Sequence, residues 1–182
     1  MVGSEKHYYA GGNTAEGFYN LFESNLQGLD RVYILKGGPG TGKSSLIKRL
    51  SDTWQEKGYM VENIHCSSDP ASLDGLIIPE LKFGVFDGTA PHVMEPKAPG
   101  AVEHYVNVGV AWDTEILEKN KQDILHYQHQ IAQAYNRAYA SFKEALRIHD
   151  DLEAIYIQEM DFQKANEVTE DLIQKIIGGK AK

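Results

Sequence analysis

The chain has 182 residues, 42% of them hydrophobic, and a formal net charge of −8. That length accommodates one well-buried domain with an appendage, and the acidic balance argues against a nucleic-acid partner held by phosphate neutralisation. A lone cysteine (Cys66) excludes an intramolecular disulfide framework, and neither a signal-peptide core nor a run of roughly 18 apolar residues is present, so a cytoplasmic protein without a membrane span is expected.

In chain order, His7 to Ala10 reads as an early strand. Asn13 with Glu16 three residues later resembles a capping box, and the following AEGFYNLFESNLQGL places Phe18, Leu21, Phe22, Leu26 and Leu29 near one helical face. Residues 31–45, RVYILKGGPGTGKSS, then give a short β-type run followed by Gly37 to Ser44 in the spacing G-x-x-x-x-G-K-[ST]. A triphosphate carries closely spaced negative charges. Inward-turned backbone N–H groups and a helix N-terminus form a cradle for them, and glycines allow the close approach. Gly38, Pro39, Gly40, Thr41, Gly42, Lys43, Ser44 and Ser45 are the candidate nucleotide-binding residues. Lys43 would reach the β- and γ-phosphates, and the Ser44 hydroxyl would ligate Mg²⁺.

A helix to about Lys57 follows, then a second strand over Tyr59 to Cys66 and a third over Phe83 to Phe86 ending on Asp87-Gly88. A phosphate-loop site needs a second anchor for its magnesium shell, commonly an Asp closing an apolar strand. Asp87 fits that position, and Asp-Gly is also a strong turn dipeptide. Asp69, after the second strand, would lie at the carboxyl end of the sheet. There it would orient water or accept a proton from an acceptor hydroxyl, or cap the turn before Pro70. Asp74 and Glu80 are weaker candidates for the same base. His65, Cys66 and His92 lack the paired spacing of a zinc site, and Lys36 and Lys97 are further cations without an aim. Residues 96–112 alternate at Val106, Val108, Val110 and Trp112 after a proline-rich entry and take no clear assignment. Three or four strands are thus legible, fewer than such a sheet usually has; either the 102–112 segment is the missing strand, or another chain or a second half completes the sheet edge.

Fifteen of the 17 glycines and all 6 prolines precede residue 110, which divides a turn-rich part from a continuous helical one. In the latter, Leu117, Ile124, Ile131, Ala138, Ala145 and Leu152 recur every seven residues, with Tyr135, Phe142, His149 and Tyr156 as a second row. This predicts one long helix over 113–157. Asp161 would cap a second, bearing Phe162, Ala165, Val168, Leu172, Ile176 and Ile177 and stopped by Gly178, so that the two form an antiparallel hairpin. Arg137 and Arg147 lie on the long helix, where solvated pairing is the default. The organisation read is an α/β core over 1–112 with helices on both faces of a mainly parallel sheet (a three-layer α/β/α arrangement), a helical hairpin over 113–177 and a tail over 178–182.

The string GGPGTGKS, with HYYAGGNTAEGF, HCSSDPASLDGLIIPEL and FDGTAPHVMEPKAPGA around it, resembles a poorly characterised bacterial P-loop ATPase family, in places described as nucleotide-kinase-like. The resemblance runs through most of the chain. It implies an ATP-binding P-loop core in which Gly38 to Ser45 match the nucleotide loop and Asp87 the acidic strand end. Asp69, Asp74 and Glu80 fall in another recurrent block. Members carry two related halves in tandem, and this chain resembles one half. The resulting expectation is Mg²⁺-dependent ATP hydrolysis coupled to a conformational change or a protein partner, with self-association or that partner engaging the helical hairpin. A small-molecule or nucleotide kinase, with Asp69 positioning the acceptor, and a nucleotide-dependent binding module without turnover are the alternatives.

Overall fold

The computed structural model describes residues 2–91 and 93–179. His92 and the end of the expected tail, residues 180–182, lie outside the described residues. The chain forms two compact units, residues 1–140 and 141–182.

The first unit is built on a six-stranded sheet. Its strands are β1 (Glu5–Tyr9), β4 (Arg31–Lys36), β5 (Val61–His65), β6 (Leu73–Ile78), β7 (Phe83–Asp87) and β8 (Glu103–Asn107), in the spatial order β1-β5-β6-β7-β4-β8. β1 pairs parallel with β5, and β4 pairs parallel with both β7 and β8. β6 runs antiparallel to β5 and β7, so it alone is reversed. The sheet therefore has its six strands within one chain: the 102–112 alternative for the missing strand holds, and one further strand was not read. The unassigned 96–112 segment supplies β8. β6 comes from LDGLII, which reads as loop because all six positions are buried and no alternation marks it.

One face of the sheet is covered by α2 (Lys43–Glu56), which packs on β5, β6 and β7. Ile47 of α2 joins Leu35, Val61, Leu73, Leu76, Ile78 and Val85 in that core layer. The opposite face is not covered by the helix expected over AEGFYNLFESNLQGL. Instead β2 (Gly11–Thr14) and β3 (Gly17–Asn20) pair as an antiparallel hairpin, and only Phe22–Asn25 is helical (α1). The capping-box reading fails because Thr14, not Asn13, organises the turn. Its Oγ1 donates to the Gly17 carbonyl at 2.8 Å and accepts from the Glu16 N–H at 3.1 Å. Gly17 takes φ 102°, a conformation outside any right-handed helix. Phe22 from α1 and Met94 from the loop before β8 complete this second layer over Ile34, Ile64 and Phe86. At the sheet edge the Tyr8 hydroxyl donates to Glu62, and burial together with that carboxylate pushes its pKa well above the usual phenol value.

The single helix expected over 113–157 is interrupted once. α3 (Thr114–Lys119) starts on Asp113, whose Oδ1 accepts from the Ile116 N–H at 3.1 Å. It ends at Asn120, whose side-chain amide donates to the Ile116 carbonyl at 2.8 Å. α4 then runs Lys121–Gln158. Its first part belongs to unit 1, where the Tyr135 hydroxyl donates to Ser68 Oγ at 3.1 Å and the Tyr139 hydroxyl to Asn13 Oδ1 at 3.0 Å.

In the second unit, the end of α4 is followed by α5 (Phe162–Gly179). Asp161 caps α5 as expected, accepting from the Lys164 N–H at 3.0 Å, but the helix runs through Gly178. The two apolar stripes do not bury one another as a closed hairpin would. Phe142, Leu152, Tyr156, Phe162, Leu172 and Ile176 are all exposed. No helix among the described residues is long and apolar enough to cross a membrane.

Candidate functional site

The five co-directed strands end along one edge of the sheet, and reversed β6 begins there. The carboxyl end of β4, the start of α2, Asp87 at the end of β7 and Leu73-Asp74 at the start of β6 are therefore neighbours. Open parallel sheets gather ligands at this edge.

The glycine-rich loop from Gly37 to Gly42 joins β4 to α2. Gly40 and Gly42 adopt φ 77° and 80°, left-handed values that a side chain disfavours. α2 begins on Gly42 with no side-chain cap and no acidic residue in its first turn. The helix thus supplies no carboxylate of its own to its leading N–H groups and the positive end of its dipole.

Lys43 folds back over this loop and is only 8% exposed. Its Nζ donates to the carbonyls of Gly37 at 3.0 Å and Gly38 at 2.9 Å, and stands 3.6 Å from Asp87 Oδ2. A buried ammonium needs such partners, since an unpaired one is strongly penalised. Thr41 braces the same turn, its Oγ1 donating to the Gly38 carbonyl at 2.8 Å.

Asp87 makes the turn contact read from Asp-Gly with one oxygen and an ion-pair contact with the other. Oδ1 closes the turn, accepting from the N–H of Thr89 at 2.9 Å and from its hydroxyl. Oδ2 faces the Lys43 ammonium. Ser44 Oγ accepts from the Leu73 N–H at 2.9 Å, which ties the loop to β6. Gly75 pairs with Phe86, and Asp74, the preceding residue of β6, is buried at the same end of the sheet as Asp87. Sequence reasoning placed Asp74 in a loop, because β6 was not recognised.

Other candidates are held elsewhere. Ser45 is exposed and lines a shallow groove on α2 with Leu46, Arg49 and Thr53. Asp69 is occupied by its own turn: Oδ1 accepts from the Ala71 N–H at 3.1 Å and Oδ2 from the Ser72 hydroxyl at 2.8 Å. Glu80 lies at the far end of β6, accepting from the Met60 N–H at 3.4 Å. Lys36 donates to the Gly88 carbonyl at 2.6 Å and Lys97 stands 3.4 Å from Glu23, so neither cation is aimed at the loop.

His65 makes a 2.8 Å contact with the His7 ring and a 2.7 Å contact with the Pro70 carbonyl, which accounts for both of its ring nitrogens. On α4, Arg147 pairs with Glu144 and Asp151; the Glu144 hydrogen bond lowers that carboxyl's pKa and raises the guanidinium's. One neighbour of the loop belongs to no site motif in the sequence: Trp112, whose ring rests against Gly38.

No family model, no curated protein and no solved structure matches the chain.

Proposed function

We propose that the chain is an ATP-binding P-loop NTPase that hydrolyses ATP with Mg²⁺ and couples nucleotide state to its long helix. The observation that carries this reading is Lys43, a buried ammonium held by two loop carbonyls and facing Asp87 at a glycine-rich helix start. Those carbonyls are replaceable partners. A triphosphate entering the loop would offer Lys43 anionic oxygens, which form stronger charge-assisted bonds than neutral carbonyls. The loop and α2 N–H groups would take the remaining phosphate oxygens.

Ser44 Oγ and the Asp87 carboxylate are hard oxygen donors of the kind Mg²⁺ prefers, and they stand beside Lys43 at the same strand edge. Mg²⁺, when bound, would neutralise charge on the transferring phosphoryl group. Both Asp69 oxygens are engaged within its turn, so this reading assigns Asp69 neither the water-orienting nor the hydroxyl-positioning role.

Coupling would run through that same turn. Ser68 precedes Asp69 and accepts from Tyr135 of α4, while Asn13 accepts from Tyr139. The exposed apolar rows of α4 and α5 would then be the surface offered to a second copy or a protein partner.

The test is phosphate release from Mg·ATP without an added acceptor. Wild type should turn over, and Lys43→Ala should reduce the rate at least about 100-fold, the scale of losing a preorganised charge at the transferring group. Turnover only on adding a nucleoside or sugar, with a phosphorylated product, would replace hydrolysis by the kinase. ATP binding with no turnover in either assay would leave a binding module.

A further inference from the structure

Trp112 lies just beyond β8, and its position is built rather than incidental. Asn107 Oδ1 accepts from the Gly109 N–H at 2.9 Å, and the Trp112 N–H donates to the Gly109 carbonyl at 3.0 Å, closing a tight turn. The six-membered part of the indole is wedged between two glycines. A methyl group on Gly38 would come within 3.1 Å of Cζ2, and one on Gly109 within 2.7 Å of Cζ3. Gly38 belongs to the glycine-rich loop itself, so the indole is seated on the wall of the phosphate cradle.

The fold nevertheless leaves this ring 42% exposed, beside Val110 at 80%. An indole that only filled space would be expected to turn its surface into the core, as Trp54 does against Tyr59. An aromatic plane fixed at the mouth of a phosphate site and open to solvent has one obvious planar partner, the base of the same nucleotide.

Resting on the nucleotide reading above, we propose that Trp112 is the base-stacking platform of the site, with Val110 as its apolar rim. Stacking recognises a π-face rather than a hydrogen-bonding edge, so the platform accepts nucleobases generally. It supplies the affinity that distinguishes a nucleoside triphosphate from inorganic triphosphate.

Calorimetric titration of ATP and of inorganic triphosphate, both with Mg²⁺, tests this on the full chain. Wild type should bind ATP more tightly than triphosphate. Trp112→Ala should weaken ATP roughly 5- to 100-fold, the range that base–aromatic stacking spans, while leaving triphosphate within about 2-fold. Trp112→Phe, which keeps a ring, should retain most of the ATP affinity. The retained triphosphate binding reports that the loop is still folded. An equal loss for both ligands would assign Trp112 to bracing Gly38 and overturn the proposal, as would an unchanged ATP affinity. Failure of wild type to bind either ligand would overturn the nucleotide reading and the platform with it.

Discussion

Phe86 shows how single residues set the floor of the sheet. It is fully buried on the face opposite α2, edge-on to Phe22 with ring centroids 6.4 Å apart. Room for its ring comes from two glycines on adjacent strands. A Cβ on Gly84 would stand 2.5 Å from Phe86 Cε2 and 2.9 Å from Leu29 Cδ1, and one on Gly75 would stand 2.9 Å from Phe86 Cδ1. Gly84→Ala should therefore destabilise the protein by about 1–3 kcal/mol, the usual cost of overpacking a filled core. Urea denaturation reads this as a lowered midpoint, and an unchanged midpoint would contradict the packing described. At this scale the candidate site was partly legible. Gly37 to Ser44 are consecutive and their spacing is local, so sequence exposes them. Asp87 was legible because it closes an apolar strand. Trp112 was not, because its partner Gly38 lies in a distant segment and no spacing rule links them.

Among the elements, β6 and the β2–β3 hairpin are where sequence and structure part. β6 is buried on both faces and carries Asp74 and Gly75, so neither alternation nor β-branched enrichment announces it. Its reversed direction places Asp74 at the site edge and Glu80 at the other end, a distinction that follows from topology alone. The hairpin was hidden by a genuine helical spacing of Phe18, Phe22 and Leu29, which Gly17 and the Thr14 turn override. In contrast, the long helical pattern was legible for most of its length, because periodicity over many turns is a strong signal. Its one break, at Asn120, depends on a side chain bonding back to Ile116.

The contact between α4 and the core makes a prediction of its own. Tyr135 and Tyr139 reach Ser68 and Asn13 through their hydroxyls. Replacing both by Phe keeps the rings and removes two hydrogen bonds, each with a net contribution of about 0.5–1.5 kcal/mol. Hydrogen exchange across residues 131–140 should accelerate while β4 and β7 stay protected. Unchanged exchange there would remove the proposed route from the Asp69 turn to the helix.

For the molecule as a whole, the two units differ in how much surface they bury. The six-stranded unit has apolar layers on both faces of the sheet, one under α2 and one under the hairpin, α1 and Met94. The unit from residue 141 onward leaves its apolar rows exposed, and residues 141–182 carry 9 acids against 6 bases. The proposed reading is a nucleotide cradle on the six-stranded sheet of the first unit, to which the first part of α4 is tied at Ser68 and Asn13.

Its central claim is that Lys43 and Asp87 hold a magnesium-bound nucleoside triphosphate, and direct titration of ATP with and without Mg²⁺ tests that claim. The account predicts that wild type binds, and that Lys43→Ala loses at least about 10-fold in affinity in either condition, as loss of a charge-assisted contact requires. Asp87→Asn should lose affinity chiefly when Mg²⁺ is present. Equal affinity of wild type and Lys43→Ala, or an equal loss in Asp87→Asn with and without the metal, would contradict it.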